Sequence, residues 1–296
     1  MRVFVTGASG FIGSAVVPGL IAAGHQVTGL ARGEASAAAL AATGAAAHPG
    51  DLTDLGSLTA AVREADGVIH LAFVHDWGNY AASVETDRKA VESMTQALKG
   101  SGKPLVIASG TLMVSHVRPT ATETDKPPSL DAPRAASEAL VIDPAAGIRG
   151  SVVRLAPSVH DQTRGGLVSL MAGVAKAKGV SGYIGDGQNR WPAVHVSDAA
   201  RLFHLALEQA APGARLHAAA EELTLRVIAE AVGAGLGLPV RSIAPEDAFA
   251  HFQGTAMFMG LDNPVSSAIT RQTLGWDPRG PGLLADLGAV ADWQTA

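Results

Sequence analysis

The first thirteen residues, Met-Arg-Val-Phe-Val-Thr-Gly-Ala-Ser-Gly-Phe-Ile-Gly, constrain the fold of this chain more than any other stretch. Residues 2–6 are β-rich. Glycines follow at positions 7, 10 and 13, and residues 11–23 carry an apolar periodicity that predicts a helix, with Pro18 as a mild interruption. Strand, glycine turn and helix in that order form an anion-binding unit. Gly7 lets the chain turn sharply, Gly10 lets the backbone approach a pyrophosphate where a Cβ would intrude, and Gly13 lets the helix pack closely on the strand. A phosphate then rests at the helix N-terminus, where unpaired N–H groups and the helix dipole favour an anion.

The rest of the composition suits a protein with a large core. Of the 296 residues 47% are hydrophobic and 17% charged, which argues against disorder. A net charge of −5 argues against non-specific nucleic-acid binding and leaves a small anionic ligand open. There is no cysteine, so disulfides, thiolate catalysis and thiolate metal sites are excluded. The ten histidines lack a ligand spacing, so no metal is expected. With no apolar run of membrane-spanning length and a strand where a signal peptide would lie, the expected location is the cytoplasm.

The glycine spacing is Gly-x-x-Gly-x-x-Gly rather than Gly-x-Gly-x-x-Gly. With Thr6 before it and Phe11-Ile12 inside it, the motif resembles that of the extended and atypical short-chain dehydrogenase/reductases, a superfamily that includes NAD-dependent epimerases and dehydratases. The resemblance runs over nearly the whole chain. Together with the alternation of strand and helix patterns it implies an α/β fold, a Rossmann-type doubly wound parallel sheet. That domain is expected over residues 1–155, with returns from about 190–220. A smaller, mainly helical C-terminal substrate domain would take 156–189 and 221–296.

The second strand, residues 26–30, ends at Ala31-Arg32. An NAD enzyme places an acid at this tip for the ribose 2′-hydroxyl. Here an arginine stands instead, a planar fork suited to a 2′-phosphate, so the expected cofactor is NADP(H). Ser9 offers a hydroxyl to the same phosphate, beside Gly7, Gly10, Phe11, Ile12 and Gly13 as the phosphate loop. The resemblance further implies that Asp51 and Leu52 serve the adenine. It runs the strand 68–73 past the ribose, with Leu71, Ala72 and Phe73 as contacts. Ala108 and Ser109 join the cofactor site, and Pro157, Ser158 and Val159 lie against the nicotinamide.

The strand 104–108 runs into Ser109-Gly110-Thr111. In the family a catalytic Ser or Thr follows this strand, so Ser109 or Thr111 is expected to donate to a substrate carbonyl oxygen. The family's Tyr-x-x-x-Lys pair is missing: its places hold Arg134 and Glu138, and the only tyrosines, Tyr80 and Tyr183, have Val84 and Gly187 four residues on. At i,i+4 Arg134 and Glu138 share a helix face. Either they form a surface ion pair worth about a few tenths of a kcal/mol, or they face the cleft. In the second case Arg134 stabilises a developing alkoxide, and Glu138 orients it or binds the ribose. An arginine keeps its proton, so the proton would come from Ser109, Thr111 or water.

Substrate contacts are expected from His75 and Trp77, on a loop leaving a strand's carboxyl end, and from Arg134, Trp191 and Met257. The loop 185–192 would line the pocket, His195 would be structural, Ser197 would cap a helix 198–209, and Thr224 would open the next helix. The apolar groups near Trp191 and Met257 suit an uncharged substrate. The expected activity is therefore reduction of a small ketone or aldehyde with NADPH. A sugar epimerase or dehydratase and a non-catalytic NADP(H)-binding redox sensor are the alternatives. Helices 84–98 and 134–141 would pair two copies, unless the chain is a monomer.

Overall fold

A computed structural model describes residues 1–76, 78–163, 166–290 and 293. Trp77, expected in the substrate loop, lies outside the described residues. The first half alternates strand and helix throughout. In chain order come β1 (Arg2–Thr6), α1 (Gly13–Ala22), β2 (Gln26–Ala31), α2 (Glu34–Ala42), β3 (Ala46–Pro49), α3 (Leu55–Glu64) and β4 (Gly67–His70). Then follow α4 (Tyr80–Leu98), β5 (Pro104–Gly110), α5 (Ala135–Ile142) and β6 (Arg149–Leu155).

The second half is more broken. It contains β7 (Ser158–His160), α6 (Leu167–Lys178), β8 (Ser181–Ile184), β9 (Arg190–His195), α7 (Val196–Gln209), β10 (Ala214–Ala218) and β11 (Glu221–Thr224). It ends with α8 (Leu225–Leu236), β12 (Val240–Ile243), α9 (Ala248–Phe252), α10 (Ala256–Met259), α11 (Ala268–Leu274) and α12 (Leu283–Ala289). No helix among the described residues is long and apolar enough to cross a membrane.

Seven strands form one parallel sheet in the order β10-β6-β5-β4-β1-β2-β3. This is the Rossmann-type doubly wound sheet. The chain reverses its direction of travel across the sheet between β1 and β4, and ligands gather outside the carboxyl ends of strands at such a point. The central strands β4 and β5 are buried almost end to end, as their unbroken apolar runs require when helices cover both faces. One face packs Val16, Val17 and Leu20 of α1 against Leu202, Phe203 and Leu207 of α7. The other packs Leu58 and Val62 of α3 against Val91, Met94 and Leu98 of α4. Each such side chain contributes about 1.5–3 kcal/mol on full burial.

Beyond β6 the chain adds β10 to the sheet edge and builds a third apolar cluster from α6, α8, α9, α10 and α12 around Trp191. Two small sheets, β11-β9-β7 and β12-β8, run through this layer where the sequence indicates loops and helices. The segment 185–192 therefore ends in strand, because β9 begins at Arg190. The strand expected over 68–73 stops at His70, since Leu71 and Ala72 leave the ladder to pass beneath Gly7. The helix α7 starts at Val196, and its cap is His195, whose Nδ1 accepts from Ser197 N–H. Thr224 does cap α8, its hydroxyl accepting from Val227 N–H.

Candidate active site

The glycine loop leaves β1 at the switch point. Gly7 has φ +68°, and a Cβ there would stand 2.7 Å from Ala72 N. A Cβ on Gly13 would stand 2.1 Å from Gly7 O and 2.6 Å from Ala8 O, so α1 docks on the loop only because position 13 has no side chain. Gly10 and Ser9 are exposed above this tightly packed base, so the backbone there is open to approach. Phe11 and Ile12 are half-buried against the apolar cluster beneath the loop. Such a cradle fits a dinucleotide pyrophosphate, which the resemblance implies.

The tips of β2 and β3 lie side by side, with Ala31 paired to Pro49. Arg32 and Asp51 therefore leave the sheet at the same edge. Arg32 is exposed, whereas Ala31 and Leu52 are buried. Asp51 Oδ1 accepts from the N–H and the hydroxyl of Thr53, both at 2.9 Å. The Thr53 N–H bond, with help from its hydroxyl and the charge of Arg32, holds the Asp51 carboxyl below its usual range. Asp54 caps α3 by accepting from Ser57 N–H at 3.0 Å.

A chain of buried polar groups runs from this loop to Arg134. Thr6 and His70 are register partners on β1 and β4, and Thr6 Oγ1 lies 2.6 Å from His70 Nδ1. The same hydroxyl accepts from Ala72 N–H at 3.3 Å. His70 Nε2 donates to Asp87 Oδ1 at 3.2 Å, since a carboxylate only accepts. Asp87 is also bound by the Arg134 guanidinium at 2.9 Å and by the Ser137 hydroxyl at 2.7 Å. Burial alone would raise the Asp87 carboxyl. Arg134, His70 and Ser137 outweigh it and hold the group well below the usual carboxylate range.

Arg134 itself is held in an unusual way. Its backbone is left-handed, φ +63° and ψ 0°, a region that non-glycine residues seldom occupy. Its guanidinium lies over the Phe73 ring, 4.8 Å from the centroid. Such a cation–π contact adds about 0.5–2 kcal/mol, the more so away from water. Phe73 also meets Tyr80 at 5.9 Å and His75 at 5.3 Å, and Tyr80 meets Phe258 at 6.1 Å. Burial raises the Tyr80 hydroxyl above its usual range, with the Asp87 charge adding to the shift and Arg134 opposing it. Desolvation and the Arg134 charge lower the His75 imidazole.

The two hydroxyls after β5 have different surroundings. Ser109 is buried, and its Oγ has no hydrogen-bond partner among the described residues. Thr111 is fully enclosed and accepts from Asn263 Nδ2 at 2.7 Å, so its hydroxyl ties the strand end to the C-terminal layer. Ala108 is buried beside Ser109. Ser158 and Val159 are buried in β7, with the Ser158 hydroxyl unpartnered among the described residues, and Pro157 O accepts from Leu167 N–H.

Two expectations need correction. Glu138 does not pair with Arg134. The left-handed N-cap Arg134 sends its side chain to Asp87 and Phe73, and Glu138 turns inward to Arg154 instead. The two form a buried fork of 3.0 and 2.7 Å, so Glu138 neither orients Arg134 nor stands free for a ribose. Trp191 is fully buried in the third cluster, its Nε1 donating to Leu261 O, and cannot line a substrate pocket. Met257 is 54% exposed, whereas its neighbour Phe258 is the residue that reaches Tyr80.

Asp87 has no place in the site expected from the sequence. Asp87 did carry a signal. On α4 the buried positions are 83, 87, 90, 91, 94, 95 and 98, and a carboxylate inside that stripe needs a partner.

Comparison with known proteins bears on the family and the fold. The model of the NAD dependent epimerase/dehydratase family matches residues 3–218. An uncharacterized protein of Schizosaccharomyces pombe is 44% identical, the match covering 98% of this chain and 99% of that one. A 2-alkyl-3-oxoalkanoate reductase of Stenotrophomonas maltophilia is 29% identical, over 81% of this chain and 77% of its own. The solved dTDP-glucose 4,6-dehydratase of Streptomyces venezuelae with NAD bound superposes with a TM-score of 0.76 at 23% identity, covering 98% of this chain and 96% of that one.

Proposed function

This chain belongs to the NAD dependent epimerase/dehydratase family, and from that premise we propose that it is an NADP(H)-dependent carbonyl reductase acting on a small, largely apolar ketone or aldehyde. Its class is that of oxidoreductases of the extended short-chain dehydrogenase/reductase type, with a nicotinamide dinucleotide as cofactor. The bound cofactor supplies the hydride. The glycine loop would hold its pyrophosphate, Arg32 its 2′-phosphate and Asp51 its adenine. Leu71, Ala72, Phe73, Pro157, Ser158 and Val159 would pack along the ribose and nicotinamide.

The observation that carries the reading is Arg134, clamped by buried Asp87 and laid on Phe73. A fixed guanidinium beside apolar rings stabilises negative charge growing on a carbonyl oxygen without first reorganising. Ser109 donates its hydroxyl proton to that oxygen and recovers one from water. Phe73, Tyr80 and Phe258 form an apolar wall, which suits an uncharged substrate better than a nucleotide sugar. The reductase named among the relatives supports the same direction.

The test follows NADPH oxidation by absorbance against aryl ketones, aldehydes and diketones, with NADH in parallel. Turnover with NADPH is expected. Arg32→Ala should raise the KM for NADPH about tenfold or more, the loss of one charge-assisted phosphate contact, and barely move that for NADH. Equal weakening of both would remove the phosphate role. Protein that instead purifies with retained NAD and consumes none would favour the epimerase or dehydratase reading, which the fold likeness to a dehydratase keeps in view.

A further inference from the structure

We propose that His25, His204 and Glu208 form a binding site for one divalent transition-metal ion of the zinc class, at the end of the sheet opposite the glycine loop. His25 directly precedes β2, and the glycine loop follows the far end of β1, so the two sites stand roughly a strand length apart, about 17 Å. No step of the proposed reaction uses these residues.

The chain builds this cluster from two segments. Just past the end of α1, Gly24 has φ +83°, with its N–H on Ile21 O and His25 N–H on Leu20 O. This paired closure sets the direction of His25 as it leaves the helix. His204 and Glu208 lie one turn apart on α7, on one face, and α7 packs against α1. The three side chains therefore converge although His25 is far away in sequence. That is why residue spacing alone gives no metal signal.

The three side chains converge on one point, with His25 Nε2 already hydrogen-bonded to Glu208 and His204 Nε2 beside them. Glu208 Oε1 lies 3.1 Å from His25 Nε2 and 3.3 Å from His204 Nε2, and the three donor atoms all fall within 4.8 Å of one another. Ligands at about 2.0–2.2 Å around a tetrahedral zinc stand about 3.3 Å apart. The two rings are perpendicular, 88°, with centroids 5.5 Å apart. His204 Nε2 is buried and meets Glu208 without hydrogen-bond geometry, so it lacks a hydrogen-bond partner among the described residues.

The side chain of His25 is only 7% exposed, and Glu208, at 38%, leaves a side open for water as the remaining ligand. Two imidazoles with one carboxylate favour zinc, cobalt, nickel or copper over magnesium or calcium. On the far side of His25 the Met1 amino nitrogen stands 3.3 Å from Nδ1. The ion would tie the α1–β2 turn to α7 and stabilise the folded chain, because the unfolded chain does not bring the three ligands together.

The experiment is calorimetric titration of untagged, chelator-stripped protein with zinc chloride, paired with thermal unfolding. One zinc per chain is expected, with a micromolar or tighter dissociation constant and a rise in the unfolding midpoint of about 2 °C or more. Magnesium chloride should give no rise. His204→Gln and His25→Gln should each weaken zinc binding at least about tenfold, the loss of one ligand bond. NADPH binding should be unchanged in both. Absence of saturable zinc binding overturns the proposal, and so does zinc binding that survives both substitutions. Circular dichroism of His204→Gln, the more exposed of the two histidines, separates loss of a ligand from loss of fold.

Discussion

A residue's neighbours, more than its place in a motif, set the role of each charged group here. Arg134 and Glu138 stand four apart in sequence and serve different ends. Arg134 is turned by its left-handed backbone onto Phe73 and Asp87, while Glu138 closes the buried fork with Arg154. Substitution should separate them. Arg134→Lys keeps a positive charge beside Asp87 but loses the planar fork and much of the contact with Phe73. Turnover is expected to fall at least about tenfold while the melting temperature moves little. Unchanged kcat would return Arg134 to a purely structural role. Glu138→Ala should act on the fold, because it leaves the enclosed Arg154 without its counter-charge. A loss of about 3–5 kcal/mol is expected, read from the urea midpoint. A variant as stable as the parent would show that Arg154 finds water or Asp125 O sufficient.

At the scale of elements, local signals place most of the first half. The strand β1, its glycine turn and α1 follow from residue types, and the structure explains why position 13 tolerates no Cβ. The element ends are less legible. β4 is cut at His70 because the next residues pass under Gly7, and α7 takes its cap from His195, a residue whose ring can accept as well as donate. His195 Nε2 also lies 3.7 Å from Asp286 of α12, and His160 Nδ1 lies 2.7 Å from the same carboxylate, so the cap belongs to a junction of three elements. The two small sheets are a further example, since β9 pairs with β7 and β11 only after the chain has folded back. Trp191 sits at the centre of that layer. Trp191→Ala should cost about 3–5 kcal/mol of stability. If it altered KM with no change in the urea midpoint, the side chain would have to face substrate after all.

For the whole molecule, the buried network on the outer strands links folding to pH. His217 on β10 sends Nδ1 to Ser266 O at 2.8 Å, and its Nε2 faces Arg154 Nη1 at 3.5 Å. Burial, with the Arg154 charge, pushes its imidazole down to about 4 from an ordinary value of 6.5. Between those values the unfolded chain takes up a proton that the folded chain refuses. Stability is therefore complete above pH 6.5 and falls as pH drops toward 4, by about 3 kcal/mol in all. Urea unfolding from pH 7 to pH 4 should show this loss, and His217→Gln should remove much of the slope. Equal slopes in the two proteins would place the acid sensitivity elsewhere. By itself the sequence determined the parallel sheet and the glycine cradle, because strand period and glycine act over a few neighbours. Only the tertiary structure decided that Glu138 faces Arg154, that Trp191 is core, that Asp87 holds Arg134, and that His25 meets His204 and Glu208. Each of those pairings joins residues from 16 to about 180 positions apart, and which of many carboxylates a buried arginine or imidazole meets depends on how the elements pack.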